Sequence, residues 1–157
     1  MKYMIVLTLS MLLAISCKQA NSNAKEITTE VESTAISGLP SIPEELLQKV
    51  FLECDFVDYI FYELPFSMSY DNKNTIQSVL RWVNQSTVIP TTGCKALGRM
   101  IFQKQGNTMI EAEIYVSETC SYYKWILDGK PMYNNLMSVG GIRHYSGIIN
   151  QYLNKNQ

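Results

Sequence analysis

The sequence has one histidine, His144, and charged side chains make up only 17% of its 157 residues. A zinc site normally takes several ligands from His and Cys, and the chain contains neither a Cys-x-x-Cys nor a His-x-x-x-His pair. It also lacks a Gly-x-Ser-x-Gly nucleophile elbow and a Gly-rich phosphate loop. The sequence therefore predicts no metal site and no cofactor.

A surplus of positive charge is missing as well, since 13 Lys and Arg stand against 14 Asp and Glu. Nucleic-acid binding needs a basic stripe, so the charge balance argues against a nucleic-acid partner. Aromatic side chains are plentiful by contrast, with ten Tyr, five Phe and two Trp. Such rings suit both a core and a binding surface.

Long apolar runs are absent except at the start of the chain, where Tyr3 to Ile15 follows the charged Lys2. This run is shorter than the roughly 20 residues of a membrane-spanning helix, and the pattern is that of a secretory signal peptide. Its end, Leu13-Ala14-Ile15-Ser16-Cys17, resembles the lipobox of bacterial lipoproteins, although Ala14 stands where that family usually has Leu.

The resemblance implies that residues 1–16 are removed and that Cys17 carries a diacylglyceryl group, usually with a further acyl chain such as palmitate. Two or more acyl chains hold a protein stably at a membrane. We therefore expect a lipoprotein of the bacterial cell envelope, with the outer membrane favoured over the inner one. Its domain would be periplasmic or surface-exposed. Loss of Lys2 with the signal peptide leaves twelve basic and fourteen acidic side chains, a net charge of −2.

Residues 17–38 are predicted to form the lipidated cysteine and a flexible tether. This stretch is rich in Ser, Thr, Asn, Ala and Glu and has no aromatic residue. Its apolar residues are too few to offset the entropy of ordering, and residues 18–38 would span about 25 Å as a coil. Residues 39–157 are then one globular domain.

The first half of this domain is predicted to be helical. Ser41 and Glu44 match a capping box, and the apolar stripe that follows predicts a helix from Pro43 to Cys54. We expect this helix to continue to Phe61, although β-branched and aromatic residues also fit a strand there. Asp71 is the expected cap of a second helix, whose stripe is Ile76, Val79, Leu80 and Val83.

The second half predicts a four-stranded antiparallel meander followed by a helix. Residues 98–104 and 108–116 flank a turn at Gly106, and residues 122–127 and 130–137 flank Asp128-Gly129, a strong hairpin signal. The final helix is expected over residues 138–153, packed on one face of the sheet. The fold class is therefore α+β, with N-terminal helices, a four-stranded meander and a C-terminal helix.

Three cysteines lie in the domain. If the first hairpin turns about Gly106, Cys94 lies near Cys120 at its open end, so we predict a Cys94–Cys120 disulfide. Export permits disulfides. Cys54 is left on the apolar face of the first helix, and it could pair with His144 as a thiol nucleophile. The favoured interpretation is a buried structural cysteine and an exposed helix histidine.

Aromatic side chains supply the candidate binding surface, namely Tyr123, Trp125, Tyr133 and Tyr145. A patch of this kind would suit a glycan or an envelope protein, but these rings fit a core beneath a helix even better. Acidic groups at Asp55, Asp58 and Glu63 and at Glu111 and Glu113 are interpreted as solvated surface and not as catalytic pairs.

Three hypotheses of function follow from the sequence. The first is a lipid-anchored, non-enzymatic binding or accessory module. The second is a small thiol-dependent hydrolase or redox enzyme that uses Cys54, and the third is a purely structural envelope lipoprotein.

Overall fold

The computed structural model describes residues 38–155 of the chain. The predicted signal peptide, the lipidated Cys17 and all but the last residue of the predicted tether lie outside the described residues. The elements within the range are α1 (Glu44–Glu53), β1 (Phe56–Phe61), β2 (Ser67–Tyr70), α2 (Lys73–Leu80), β3 (Gly98–Lys104), β4 (Asn107–Val116), β5 (Ser121–Leu127), β6 (Lys130–Leu136) and α3 (Val139–Lys155).

The strands form one antiparallel sheet in the order β2-β1-β3-β4-β5-β6. The α+β class and the C-terminal helix are therefore confirmed. The predicted sheet of four strands is wrong, because β1 and β2 add to β3 and make six. The predicted pair of N-terminal helices is also wrong in its arrangement, because these two strands separate α1 from α2.

Strand β1 occupies the segment that we expected to continue the first helix. Val57 and Phe61 are four residues apart, as a helix stripe requires, but with Tyr59 they also alternate as a strand requires. All three side chains are buried. Pairing with β3, some 40 residues further along the chain, makes the segment a strand and not a helix. The register runs from Phe56↔Gln103 to Phe61↔Gly98.

Helix α1 starts without the predicted capping box. Pro43 is its N-cap and makes no side-chain cap bond. The Ser41 hydroxyl instead donates to the backbone oxygen of Gln85 at 2.8 Å and accepts a hydrogen bond from Asn135 Nδ2 at 2.5 Å. Ser41 therefore ties the entry of the domain to the loop after α2 and to β6.

Helix α2 is capped one residue later than predicted. The side chain of Asn72, and not that of Asp71, accepts hydrogen bonds from the N–H groups of Asn74 and Thr75 at 3.0 and 3.2 Å. Asn is as good an N-cap as Asp, so the residue types alone do not separate the two positions.

The two hairpin turns follow their sequences. Asp128 and Gly129 have positive φ angles of 51° and 75°, as the two central residues of a type I′ turn require. The β3–β4 register pairs Gly98 with Ile114, the pairing expected for a hairpin that turns about Gly106.

The two faces of the sheet differ sharply. Alternate residues of the strands pack with side chains of all three helices in one core, which includes Val57, Tyr59, Met100, Phe102, Ala112, Tyr123, Trp125, Val50, Ile76 and Tyr145. The opposite face carries none of the described helices. We call it the bare face, and residues such as Asp58, Arg99, Glu113 and Lys124 lie on it by strand parity.

Candidate functional site

The predicted aromatic surface is not a surface. Tyr123, Trp125 and Tyr145 are 0% exposed, and Tyr133 is partly buried against the same core. Tyr145 lies on α3, and its hydroxyl donates to Met100 Sδ at 3.2 Å. The structure thus corrects the placement of these rings in a binding patch and fits the interpretation that the sequence favoured, a core beneath a helix.

Burial also keeps the hydroxyls of two core tyrosines, Tyr59 and Tyr145, from ionising. Removal from water raises the pKa of Tyr145 and that of Tyr59 well above the ordinary value of a phenol. Both hydroxyls are therefore neutral at any physiological pH, and their role is packing.

Cys54 and His144 lie in separate surroundings. Cys54 is 0% exposed, and its thiol donates to the carbonyl oxygen of Phe56 at 3.2 Å. Burial raises the pKa of the Cys54 thiol, opposite to what a nucleophile requires. His144 is half-buried and not exposed as predicted, because its ring packs on Trp82 with centroids 4.5 Å apart.

Cys94 and Cys120 form a disulfide with Cα atoms 6.0 Å apart. This pair is the one that the hairpin register predicts. Cys94 belongs to the long loop between α2 and β3, which crosses onto the bare face of the sheet. Val88, Cys94 and Ala96 of this loop pack there against Tyr115, Cys120 and Tyr122.

Beside the disulfide lies a cleft of about 550 Å³, which we call the disulfide cleft. Its four walls are the turn between β1 and β2, the loop before β3, the corner between β4 and β5, and the end of α3. Its lining combines apolar side chains with hydroxyls and two charges at the exposed positions Glu63 and Lys95; the apolar members are Leu64, Ala96, Leu97, Val116, Ile149, Tyr152 and Leu153.

Backbone hydrogen bonds fix the walls of the disulfide cleft. The N–H of Leu97 donates to Ile114 O at 2.7 Å, and the N–H of Tyr62 donates to Leu97 O at 3.0 Å. On the other wall, Ser117 N donates to Cys120 O at 2.7 Å and Ser117 Oγ accepts from Cys120 N at 3.1 Å. These bonds tie the loop before β3 to β1 and β4 and close the corner between β4 and β5.

A group of charges occupies the middle of the bare face. Arg99 pairs with Glu111 at 2.8 Å and Lys124 pairs with Glu113 at 2.6 Å, while the Tyr115 hydroxyl donates to Glu113 Oε2 at 2.8 Å. Glu111 and Glu113 are therefore not the freely solvated acids expected from the sequence. Their side chains are 24% and 16% exposed.

The pKa shifts of Glu113 and Lys124 indicate the protonation states of this charge cluster. Burial acts to raise the pKa of Glu113, but hydrogen bonds from Lys124 and Tyr115 and the nearby positive charges outweigh burial and lower it. Burial likewise opposes the charge of Lys124, yet Glu113 and Tyr115 raise its pKa. Both groups stay ionised at neutral pH, so they brace the bare face and do not donate or accept protons there.

The remaining acids serve separate structural tasks. Asp55 accepts hydrogen bonds from Gln105 N at the β3–β4 turn, at 2.9 and 3.1 Å. Asp58 accepts from Ser69 Oγ at 2.6 Å and from Gln103 Nε2 at 3.1 Å. Within residues 38–155 no group of three His, Cys, Asp or Glu side chains is arranged to hold a metal ion.

Sequence reasoning missed the disulfide cleft, because four distant segments build it. The signal that the sequence did carry was the Cys94–Cys120 pairing, which brings two of these segments together. None of the helices in the described part of the chain is long and apolar enough to cross a membrane. No protein-family model, curated protein or solved structure matches the chain.

Proposed function

We propose that this chain is a lipid-anchored protein of the bacterial cell envelope that works as a binding module, with its ligand in the disulfide cleft. The observation that carries the binding role is a concave site of about 550 Å³ whose lining includes the Cys94–Cys120 disulfide. Ligand pockets in proteins run from about 300 to 1,000 Å³ and are largely formed in advance.

The lining of the cleft indicates an amphipathic ligand. Its apolar side chains offer an area that gains from leaving water, and Glu63 and Lys95 offer one charge of each sign at the rim. Because the disulfide holds the loop wall in place, little conformational entropy is lost when a ligand binds. This arrangement favours a small molecule or a peptide side chain over a large flat partner.

The anchor and the disulfide support the same compartment. Disulfides persist in oxidising surroundings such as the bacterial periplasm and cell surface. A lipidated Cys17 would hold the domain at the membrane through the tether, so that the cleft samples ligands close to that surface.

The anchor is tested by fractionation of cells that produce single-cysteine variants. Cys17→Ala should move the protein from the membrane fraction to the soluble fraction and remove the acyl mass from its amino-terminal peptide. Cys54→Ala is the matched control and should leave both unchanged. An unsubstituted protein whose amino-terminal peptide carries no acyl mass would refute the lipid anchor.

The cleft is tested by a fragment set of small amphipathic molecules followed in ¹H–¹⁵N spectra. Binding should shift resonances of residues 92–97 and 149–153 in a saturable way. Ala96→Trp should fill the cleft and abolish these shifts, whereas Leu52→Trp, at a position that is 61% exposed and away from the cleft, should not. If no fragment shifts the lining residues, the third hypothesis, a purely structural lipoprotein, is favoured.

The competing hypothesis of a thiol-dependent enzyme rests on Cys54. It requires an accessible thiol of low pKa, whereas Cys54 is fully buried and its pKa is raised. Turnover by the purified protein that a Cys54→Ala substitution abolishes would overturn the binding proposal.

A further inference from the structure

The two edge strands of the sheet differ in whether their outward backbone groups are hydrogen-bonded. At the β6 edge, the outward N–H groups of Asn134 and Leu136 donate to the backbone oxygens of Pro40 and Ser86 at 2.8 and 2.9 Å. The β6 edge is therefore covered by other parts of the same chain. At the opposite edge lies β2, and within the described range no backbone hydrogen bond reaches β2 from its outer side.

The register shows which groups of β2 face outward. The bond from Tyr62 N to Leu97 O places alternate residues of β1 towards β3, so Val57 and Tyr59 turn their backbone groups towards β2. Their partners are Tyr70 and Met68. The N–H and C=O groups of Ser67 and Ser69 must then point away from the sheet, where an added strand would meet them.

Next to this edge, on the helix side of the sheet, lies a hollow of about 280 Å³, which we call the edge hollow. It lies between β2 and the second half of α3. Its lining is Phe66, Met68, Ile148, Gln151, Tyr152 and Lys155. Phe66 is 37% exposed although it is apolar.

We propose that the β2 edge is a docking site for an extended peptide segment of a partner protein, added as a seventh strand. Only an extended backbone satisfies alternating outward N–H and C=O groups, and pockets beside the strand then select side chains. A side chain opposite Met68 would point into the edge hollow. The ammonium of Lys155 favours an acidic side chain two residues further along, on the same side.

The sequence of β2 permits such an addition. Natural edges are often protected by a very short strand, a Lys, a Pro or an inward charge. Strand β2 is short, at four residues, and Pro65 lies just before it, but Ser67-Met68-Ser69-Tyr70 itself contains no Lys, no Pro and no charge. A second copy fits less well. On the helix side it would bring Phe66, Met68 and Tyr70, none of them acidic, together with another Lys155. The site goes beyond the proposed function: the edge hollow shares Tyr152 with the disulfide cleft, but β2 and Lys155 do not line the cleft.

The probes are two blocked heptapeptides, acetyl-Thr-Leu-Thr-Glu-Thr-Val-Thr-amide and its reversed sequence, which cover both strand directions. They are titrated into the mature chain, residues 17–157, carrying Cys17→Ser. We expect at least one to shift the resonances of residues 67–70 and of Ile148, Gln151 and Lys155, which do not line the disulfide cleft, and to slow amide hydrogen exchange at Ser67 and Ser69. The same peptide with every backbone nitrogen methylated keeps its side chains and should lose binding more than tenfold.

Protein variants test the backbone and the charge separately. Ser67→Pro removes an outward N–H that bonds to no other part of the described chain, and should weaken binding about tenfold, whereas Ser67→Ala should stay within twofold. Lys155→Glu should weaken the Glu peptide and restore affinity for a peptide with Lys in place of Glu.

Three results would overturn the proposal. One is that neither peptide binds, and another is that the methylated peptide binds as well as its parent. The third is that the chain without peptide is a dimer in solution that Ser67→Pro dissociates, which would give the edge to a second copy. Cleft variants such as Ala96→Trp should not change peptide affinity, so failure here and failure of the cleft proposal are distinguishable.

Discussion

Asn135 is fully buried and joins three segments of the chain. Its Oδ1 accepts the N–H of Ile42 at 3.0 Å, and its Nδ2 donates to Ser41 Oγ and to Asn84 O. Asn135→Ala leaves the buried N–H of Ile42 without a partner, so we expect the free energy of unfolding to fall by about 2–4 kcal/mol. Urea denaturation measures the change.

The neighbouring Asn134 is a matched control. It is 2% exposed, but its buried Oδ1 has no hydrogen-bond partner in the described structure. Asn134→Ala should therefore cost less than about 1 kcal/mol. Equal losses from the two substitutions would show that the contacts of Asn135 are not the reason for its effect.

His144 should make stability depend on pH near neutrality. Burial against Trp82 lowers the pKa of His144 in the folded state from its ordinary 6.5. The unfolded chain then binds a proton more readily, so this contribution is complete above pH 6.5 and is lost as pH falls from 6.5 through the lowered value. The midpoint of thermal unfolding should drop over that window.

The variant His144→Phe keeps an aromatic ring on Trp82 without a titrating group and should remove the slope. Glu53 and Glu113, whose pKa values are lowered, lose their contributions only at more acidic pH. A slope that persists unchanged in His144→Phe would assign the pH dependence to another group.

At the scale of single elements, the end of α1 depends on a lysine from α2. Lys73 Nζ donates to Leu52 O at 2.6 Å and to Cys54 O at 3.0 Å, among the last carbonyls of that helix. Lys73→Met should lower the free energy of unfolding by about 1 kcal/mol, because cations at a helix C-terminus stabilise it. Lys49→Met, on the exposed side of α1, should have little effect in the same denaturation experiment.

The disulfide also contributes to the free energy of unfolding. It closes a loop with a sequence separation of 26 residues, and the chain-entropy model assigns about 3.5 kcal/mol to such a link. The double variant Cys94→Ser with Cys120→Ser should lose about that much. A loss below about 1 kcal/mol would contradict the chain-entropy model for this link.

Elements with strong local signals could be predicted, and those that depend on distant partners could not. The Asp128-Gly129 turn fixes its own conformation, so β5 and β6 follow from a few residues. Residues 56–61 fit the helical and the strand periodicity equally well, and they form a strand because they pair with the side of β3 that β4 does not occupy. The Ser41 hydroxyl failed as a helix cap for the same reason, because Gln85 and Asn135 lie far away in the chain.

At the scale of the whole molecule, the reactivity of the cysteine thiols tests whether the core is closed to solvent. Cys54 is buried and Cys94 is bonded to Cys120. Alkylation of the Cys17→Ser chain without reductant should therefore add no label to the native protein and one label after unfolding, as read by intact mass. Rapid labelling of the native protein, with a rate that titrates below pH 8, would contradict the buried, raised-pKa thiol.

The candidate site belongs to this largest scale, which is why residue patterns did not reveal it. Glu63, the loop around Cys94 and the end of α3 meet only because β1 lies beside β3 in the sheet. The aromatic residues were visible from the sequence, but their burial was decided by which face α3 covers. Composition therefore predicted a ring-rich core and the hairpin register predicted the disulfide, but neither predicted the concave surface beside them.

The strand order also sets a sequence of events during folding. Strands β3 to β6 pair with their chain neighbours through short turns, so this meander closes small loops and should form early. The β1–β2 hairpin must then find β3 across the whole of α2 and the long loop that follows it. Native-state hydrogen exchange should accordingly show two tiers, with the amides of β1 and β2 opening more often than those of β3 to β6. The two strands that join the sheet last, β1 and β2, would thus be the first to unfold.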